Sequence, residues 1–196
     1  MKPKEHRTVP HIFSVHTGNT SDDFLAFRAR AVETRNRLER DLASSSPIDE
    51  LIISFAGVDA MTHSYADELI GKFYVTLAAG DAGVSTVGLA DLNEETRDAI
   101  TVCLERRKLA AVDADRGTLL GQIKAIDETY CCALQLGDFR ASDIAEQMDI
   151  SLTNANNRLK RLTDAGALHR NASSPEHGGK EFTYHVSKRE VRTVGR

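Results

Sequence analysis

The sequence predicts an α/β domain followed by a smaller α+β domain. Segments with strand and helix patterns alternate between residues 11 and 112, which indicates a mixed sheet with helices and with at least some parallel strands. The last third instead contains two short amphipathic helices and then two strand-like segments. The charge divides in a similar way. Residues 1–136 carry 15 Lys and Arg against 21 Asp and Glu, a net −6, whereas residues 137–196 carry 10 against 8, a net +2.

The α/β pattern rests on the spacing of apolar residues. Leu51–Phe55 is a continuous apolar run bounded by turn signals, as in strands that are buried on both faces. The predicted strands are His11–His16, Leu51–Phe55, Val84–Leu89 and Leu109–Val112, and the predicted helices are Asp22–Leu42, Thr62–Ala79 and Asn93–Arg107. We therefore predict an α/β domain over residues 1–112, a polar linker over 113–116, a second domain over 117–188 and a polar tail over 189–196.

Composition excludes several classes of protein. The chain has 196 residues, 41% hydrophobic and 28% charged, which is ordinary for a globular protein. Since no apolar run reaches membrane-spanning length and the N-terminus lacks a signal-peptide core, we expect a cytoplasmic protein without a membrane partner. Three cysteines, two of them adjacent at Cys131 and Cys132, do not make a disulfide framework, although a redox or metal sensor is the alternative there. No phosphate-binding glycine motif or catalytic constellation is present, so we expect no enzyme, cofactor or metal.

The second domain begins with a predicted helix over Gly117–Leu136. Two shorter helices follow, Ala141–Met148 and Ser151–Ala165, with Ser151 as the expected N-cap of the latter. Steps of about 100° per residue place Ala155, Leu159 and Leu162 inward and Thr153, Asn157 and Lys160 outward. In a helix-turn-helix, Thr153, Asn156 and Asn157 would contact base edges, and Arg158, Lys160 and Arg161 would contact phosphates. The alternative is a solvated helix face without a partner.

A strand pair follows these helices. Ala167–Asn171 and Glu181–Val186 are strand-like and flank a segment rich in Ser, Pro and Gly. The order helix–helix–hairpin, with the run RLKRLTDAGALHR, resembles the winged helix-turn-helix domains of bacterial regulators over about residues 117–188. The resemblance implies binding to double-stranded DNA, commonly as a homodimer on a two-fold site, although such domains also contact proteins. The DNA-binding candidates are Ser151, Thr153, Asn154, Asn156, Asn157, Arg158, Lys160, Arg161, Arg170, His177 and Lys180.

The segment after the apolar strand, FAGVDAMTHSYADELIGK, carries a second resemblance. Its matching residues are Gly57, Val58, Ser64, Tyr65, Ala66, Asp67, Glu68, Leu69, Gly71 and Lys72. Together with LNEETRDAITVCLERR they resemble the STAS-like relatives of anti-sigma factor antagonists over about residues 10–112. In that family a serine at this junction is phosphorylated by a partner kinase, and Ser64 aligns with it. The neighbouring residues Thr62 and His63 are further candidates for this switch site. The alternative role for Thr62 or Ser64 is to cap the helix.

Both resemblances together predict a transcriptional regulator. The STAS-like domain would sense a signal or partner, and the winged helix would bind operator DNA. The alternative is a partner-switching adaptor that binds a histidine-kinase-like ATPase and uses its winged helix for protein contacts.

Overall fold

A five-stranded mixed sheet organises the first part of the chain. The computed structural model describes residues 9–45, 48–121, 124–173 and 181–186. The strands of this part are β1 (His11–Ser14), β2 (Phe24–Leu25), β3 (Ile48–Ser54), β4 (Ala60–Met61), β5 (Val84–Ala90), β6 (Ala111–Asp113) and β7 (Thr118–Leu120). The sheet order is β1-β3-β5-β6-β7, with β1, β3, β5 and β6 parallel and β7 antiparallel to β6, while β2 and β4 form a separate parallel pair.

Helices pack against this sheet as the alternation predicts. They are α1 (Arg28–Ser44), α2 (His63–Ala66), a π-helical segment (Asp67–Gly71), α3 (Lys72–Ala79) and α4 (Glu94–Arg107). The segments α2, π and α3 follow one another without a break, so they form one composite helix over residues 63–79. Its π segment contacts both α1 and α4.

The predicted helix Asp22–Leu42 is wrong in its first turns. A short 3-10 helix covers Thr20–Asp22 and β2 follows, so the α-helix begins only at Arg28. Phe24 and Phe27 fit a helical apolar pattern, yet their side chains are 56% and 69% exposed. Pairing of β2 with β4 removes this segment from the helix, because its backbone forms a parallel ladder with Ala60–Met61.

The predicted helix Gly117–Leu136 is also wrong at its start. Thr118–Leu120 forms β7, which pairs with β6 so that Ala111 lies opposite Leu120. Gly117 and Gly121 flank this strand with φ of 65° and 89°, a left-handed backbone that ends regular helix. The predicted linker 113–116 lies at the turn of this hairpin, and the division of the chain into two domains stays a prediction.

A smaller sheet and three helices form the rest of the described chain. The elements are α5 (Lys124–Leu136), β8 (Asp138–Arg140), α6 (Ala141–Gln147), α7 (Leu152–Asp164), β9 (Leu168–Ser173) and β10 (Glu181–Val186). The helices α6 and α7 and the two later strands agree closely with the sequence prediction. β8 was not expected, and it completes an antiparallel sheet of order β8-β10-β9.

Two apolar cores lie side by side. The first is formed by the five-stranded sheet with α1, the composite helix and α4, and the second by α5, α6, α7 and the small sheet. Ala110, just before β6, and Val112, within it, belong to the second core although β6 is part of the first sheet. The Val87 N–H of β5 donates to the Gly166 carbonyl over 3.0 Å. Within the described ranges, no helix is both long and apolar enough to cross a bilayer.

Candidate functional site

Helix α7 is anchored as the sequence predicts. Ser151 is its N-cap, and its hydroxyl oxygen accepts a hydrogen bond from the Asn154 N–H at 3.2 Å. Ala155, Leu159 and Leu162 are fully buried, and the helix packs on α5 and α6. The buried stripe and the N-cap together determine which face of α7 is exposed to solvent.

The outer face of α7 presents polar side chains. Thr153 and Asn157 are exposed and, within the described part of the chain, their side chains have no hydrogen-bond partner. Asn156 is exposed too, but its Nδ2 donates to the Leu152 carbonyl at 2.9 Å. Lys160 Nζ lies 2.6 Å from Asp164 Oδ2, an ion pair that an incoming anion would have to displace. Thr153 and Asn157 are therefore the side chains most available to a ligand.

Arg158 points away from this face. Its Nη1 donates to the Ala125 carbonyl at 3.3 Å and to Thr129 Oγ1 at 3.4 Å, both on α5. Its Nε donates to Asn154 Oδ1 at 3.1 Å. The structure thus uses Arg158 and Asn154 to hold α7 against α5, and it does not bring Arg158 to the outer face with the other predicted residues.

The remaining basic candidates are spread over the surface. Arg161 is exposed and, together with Lys108, lines a cleft where the C-terminal ends of α4 and α7 approach α5. The Arg170 guanidinium lies over the Phe182 ring, 4.7 Å from its centroid. His177 and Lys180 lie outside the described residues.

Ser64 stands at an exposed corner before the composite helix. Thr62 is the N-cap, because its Oγ1 accepts from the Tyr65 N–H at 3.3 Å and donates to the Ala26 carbonyl at 3.1 Å. Ser64 Oγ lies 3.1 Å from that same Thr62 oxygen. His63 and Ser64 are exposed. The capping role therefore falls to Thr62, and the Ser64 hydroxyl is accessible.

A network of charged residues follows Ser64 by one helical turn. Asp67 accepts two hydrogen bonds from Arg107, at 2.7 and 3.0 Å, and this bonding holds the pKa of the Asp67 carboxyl below its usual value. Glu68 is buried and pairs with Lys72 at 2.7 Å and with Arg35 at 3.5 Å. The Arg28 guanidinium lies 3.9 Å from Asp67 and 4.0 Å from Glu68.

Sequence reasoning missed this network. Arg107 is forty positions from Asp67, and nothing in the local spacing of either residue indicates the pairing. The one available signal was Gly71, which lies inside a helical pattern where glycine is unfavourable. A Cβ at Gly71 would lie 2.6 Å from Arg107 Nε and 2.8 Å from Cys103 Sγ, so the close approach of α4 requires glycine.

The comparisons with known proteins concern this first part of the chain. A family model described as a STAS-like domain of unknown function (DUF4325) matches residues 32–94, from α1 to the first residue of α4. The match includes Ser64, the π segment and Gly71. No curated protein and no solved structure matches the chain. Residues 32–94 are therefore similar to a STAS-like domain.

Proposed function

We propose that the protein is a cytoplasmic, non-enzymatic transcriptional regulator that binds operator DNA as a homodimer. In this proposal α5 to β10 form a winged helix-turn-helix domain, α7 lies in the major groove, and the STAS-like domain senses a signal or a partner. The observation that carries the proposal is the exposed polar face of α7, with Thr153 and Asn157 on a helix whose opposite face is buried.

The chemistry of that face fits duplex DNA. An exposed asparagine carboxamide can donate to and accept from adenine at the same time, and each such bidentate pair discriminates by about 1–3 kcal/mol. Asn157 is better placed for it than Asn156, because one Asn156 donor is already used on the Leu152 carbonyl. Lys160 and Arg161 are assigned to phosphates, and the β9–β10 hairpin to the flanking backbone.

The test is selection of bound sequences from a random duplex pool at a stated salt concentration. We expect an enriched motif containing adenine, and Asn157→Ala should weaken binding to that motif by roughly 5- to 150-fold. Asn36→Ala is the matched control, since Asn36 is an exposed helical asparagine on α1. The proposal is wrong if no motif is enriched, or if both variants bind the selected duplex like the wild type.

One observation favours the adaptor as a second candidate. Phe24 and Phe27 are exposed beside the Ser64 corner, where the Leu25 carbonyl accepts from the Thr62 N–H at 2.9 Å. Large exposed apolar side chains next to an accessible hydroxyl suit a protein partner such as a histidine-kinase-like ATPase. In that case Phe27→Ser should abolish binding to such a purified ATPase, whereas Val75→Ser, at an exposed apolar position on α3, should not.

A further inference from the structure

The geometry points to Gly166 as the residue through which the STAS-like domain positions helix α7. This inference rests on the proposed function, since it concerns how DNA reading would be controlled. Gly166 lies two residues beyond the end of α7, and its carbonyl accepts from the Val87 N–H of β5 at 3.0 Å. The end of the proposed reading helix is therefore hydrogen-bonded directly to a central strand of the other sheet.

The partner of Gly166 is available because β6 is short. The register of β6 with β5 covers only Gly88 and Leu89, so the Val87 N–H lies just before this ladder and donates to the Gly166 carbonyl instead. The α7–β9 connection thus lies beside β5. Because Val87 is buried and buried backbone N–H groups are nearly always paired, loss of the Gly166 carbonyl from this place would leave the Val87 N–H unsatisfied.

The backbone of Gly166 also lies too close to its neighbours for a larger residue. Its φ is 65°, and a Cβ there would lie 2.8 Å from Val87 N and 3.2 Å from Leu77 Cδ2. No side chain fits at this distance, and the left-handed backbone already disfavours one. The Leu77 side chain therefore lies beside Gly166, and a displacement of Leu77 would act on the Gly166 position.

Leu77 lies on the helix that starts at the Ser64 corner. The composite helix runs over residues 63–79 and crosses the charged network at its π segment. Ser64 precedes Asp67 and Glu68 by three and four residues, the spacing at which helical side chains are neighbours. A negative charge at Ser64 would repel both carboxylates and compete for Arg28, which lies about 4 Å from each of them. The route from Ser64 to α7 is thus the composite helix, Leu77 and Gly166.

Hydrogen exchange of the full chain tests this route. Ser64→Glu should change the exchange of amides in residues 152–168, and the same change should be absent in Ser64→Glu combined with Gly166→Ala. Gly137→Ala is the matched control, because Gly137 also has a positive φ, 74°, but a Cβ there would meet nothing within 4 Å. In the same proteins Ser64→Glu should shift affinity for the selected duplex by about 5-fold or more, and Gly166→Ala should reduce that shift to within about twofold.

The outcomes separate the two proposals. The route is wrong if Ser64→Glu leaves the exchange of α7 unchanged, or if Gly137→Ala removes the response as fully as Gly166→Ala does. If no variant binds any duplex but α7 exchange still responds to Ser64 through Gly166, the DNA proposal fails and the route stands. If Gly166→Ala does not fold, Leu77→Ala replaces it, since that change removes the Leu77 methyl groups beside Gly166 without altering the backbone.

Discussion

The imidazole rings of His169 and His185 face each other across the β9–β10 ladder, with their centroids 4.8 Å apart. On the other side of His185, Asp138 of β8 lies 4.0 Å from its Nδ1, and Asp49 of β3 contributes a weaker attraction. Burial lowers the pKa of His185 below its usual 6.5, the neighbouring His169 lowers it further, and the two carboxylates oppose both effects. The neutral imidazole is therefore the form that the fold favours.

Acid should destabilise the protein through His185. In the unfolded chain His185 takes up its proton near pH 6.5, while in the folded state it does so only at lower pH, so the unfolded state binds more protons in that window. The contribution of neutral His185 to the free energy of unfolding is therefore complete above about pH 6.5 and is lost as the pH falls through the folded-state pKa of His185. Thermal unfolding between about pH 5 and 8 should show this decrease in the wild type and a flatter profile for His185→Gln. His63→Gln, at an exposed position, should keep the wild-type profile; equal profiles for all three proteins would contradict the prediction.

Asp67→Asn should destabilise the first part of the chain, formed by the five-stranded sheet and its helices. The substitution removes the charge that accepts two hydrogen bonds from Arg107, and charge-assisted bonds of this kind contribute about 1.5–3 kcal/mol. Urea unfolding at neutral pH measures the loss, and Asp98→Asn, at an exposed position on the same helix as Arg107, is the control. Because the Asp67 pKa is lowered, the difference between wild type and Asp67→Asn should shrink as the pH falls below the usual carboxyl pKa of 3.8. A difference that is constant down to acid pH would refute this account.

Gly71→Ala should cost about 1–3 kcal/mol of stability through overpacking. The backbone at Gly71 is ordinary helix, with φ of −57°, so the cost comes from the crowding of the new methyl group against Cys103 and Arg107. Cys103→Ala removes one of those neighbours, and the double variant should therefore recover part of the loss in chemical denaturation. If the two changes are simply additive, the crowding is not at Cys103.

Two arginines of α7 should behave differently when each is replaced by alanine. Arg158→Ala removes bonds to α5 and should lower the free energy of unfolding by about 1–2 kcal/mol. Arg161→Ala should leave stability unchanged but reduce the salt dependence of DNA binding by about one phosphate contact. Thermal melts give the stability, and titrations of one duplex at several salt concentrations give the salt dependence. The roles of the two arginines are wrong if Arg161→Ala lowers stability and Arg158→Ala only lowers the salt dependence.

Local signals were sufficient for several elements of this fold. Ser151 predicts the start of α7 and Asn93 the start of α4, because a capping side chain next to a helical pattern acts within three or four residues. The inward stripe of Ala155, Leu159 and Leu162 follows from the helical period alone. The exposed face of α7 lies opposite that stripe, so the same helical period also predicts which candidate residues lie on it.

Contacts between distant residues account for what was missed. Phe24 and Phe27 have a helical spacing, but β2 pairs with a strand about thirty-six positions later, and no local pattern shows it. Arg158 lies near the boundary between the inner and outer faces of α7, where only the position of α5 decides its direction. The network of Asp67 and Arg107 likewise depends on how α4 packs on the π segment.

Ala110 and Val112 lie at the edge strand of the first sheet but pack into the second core, and this limits where the chain can be cut. A fragment that ends at residue 112 would expose these side chains to water and leave the Val87 N–H without its acceptor. A fragment that starts at residue 117 would lack one wall of its own interior. The two halves therefore depend on each other for solubility, and recombination of either half with an unrelated neighbour would need a replacement surface.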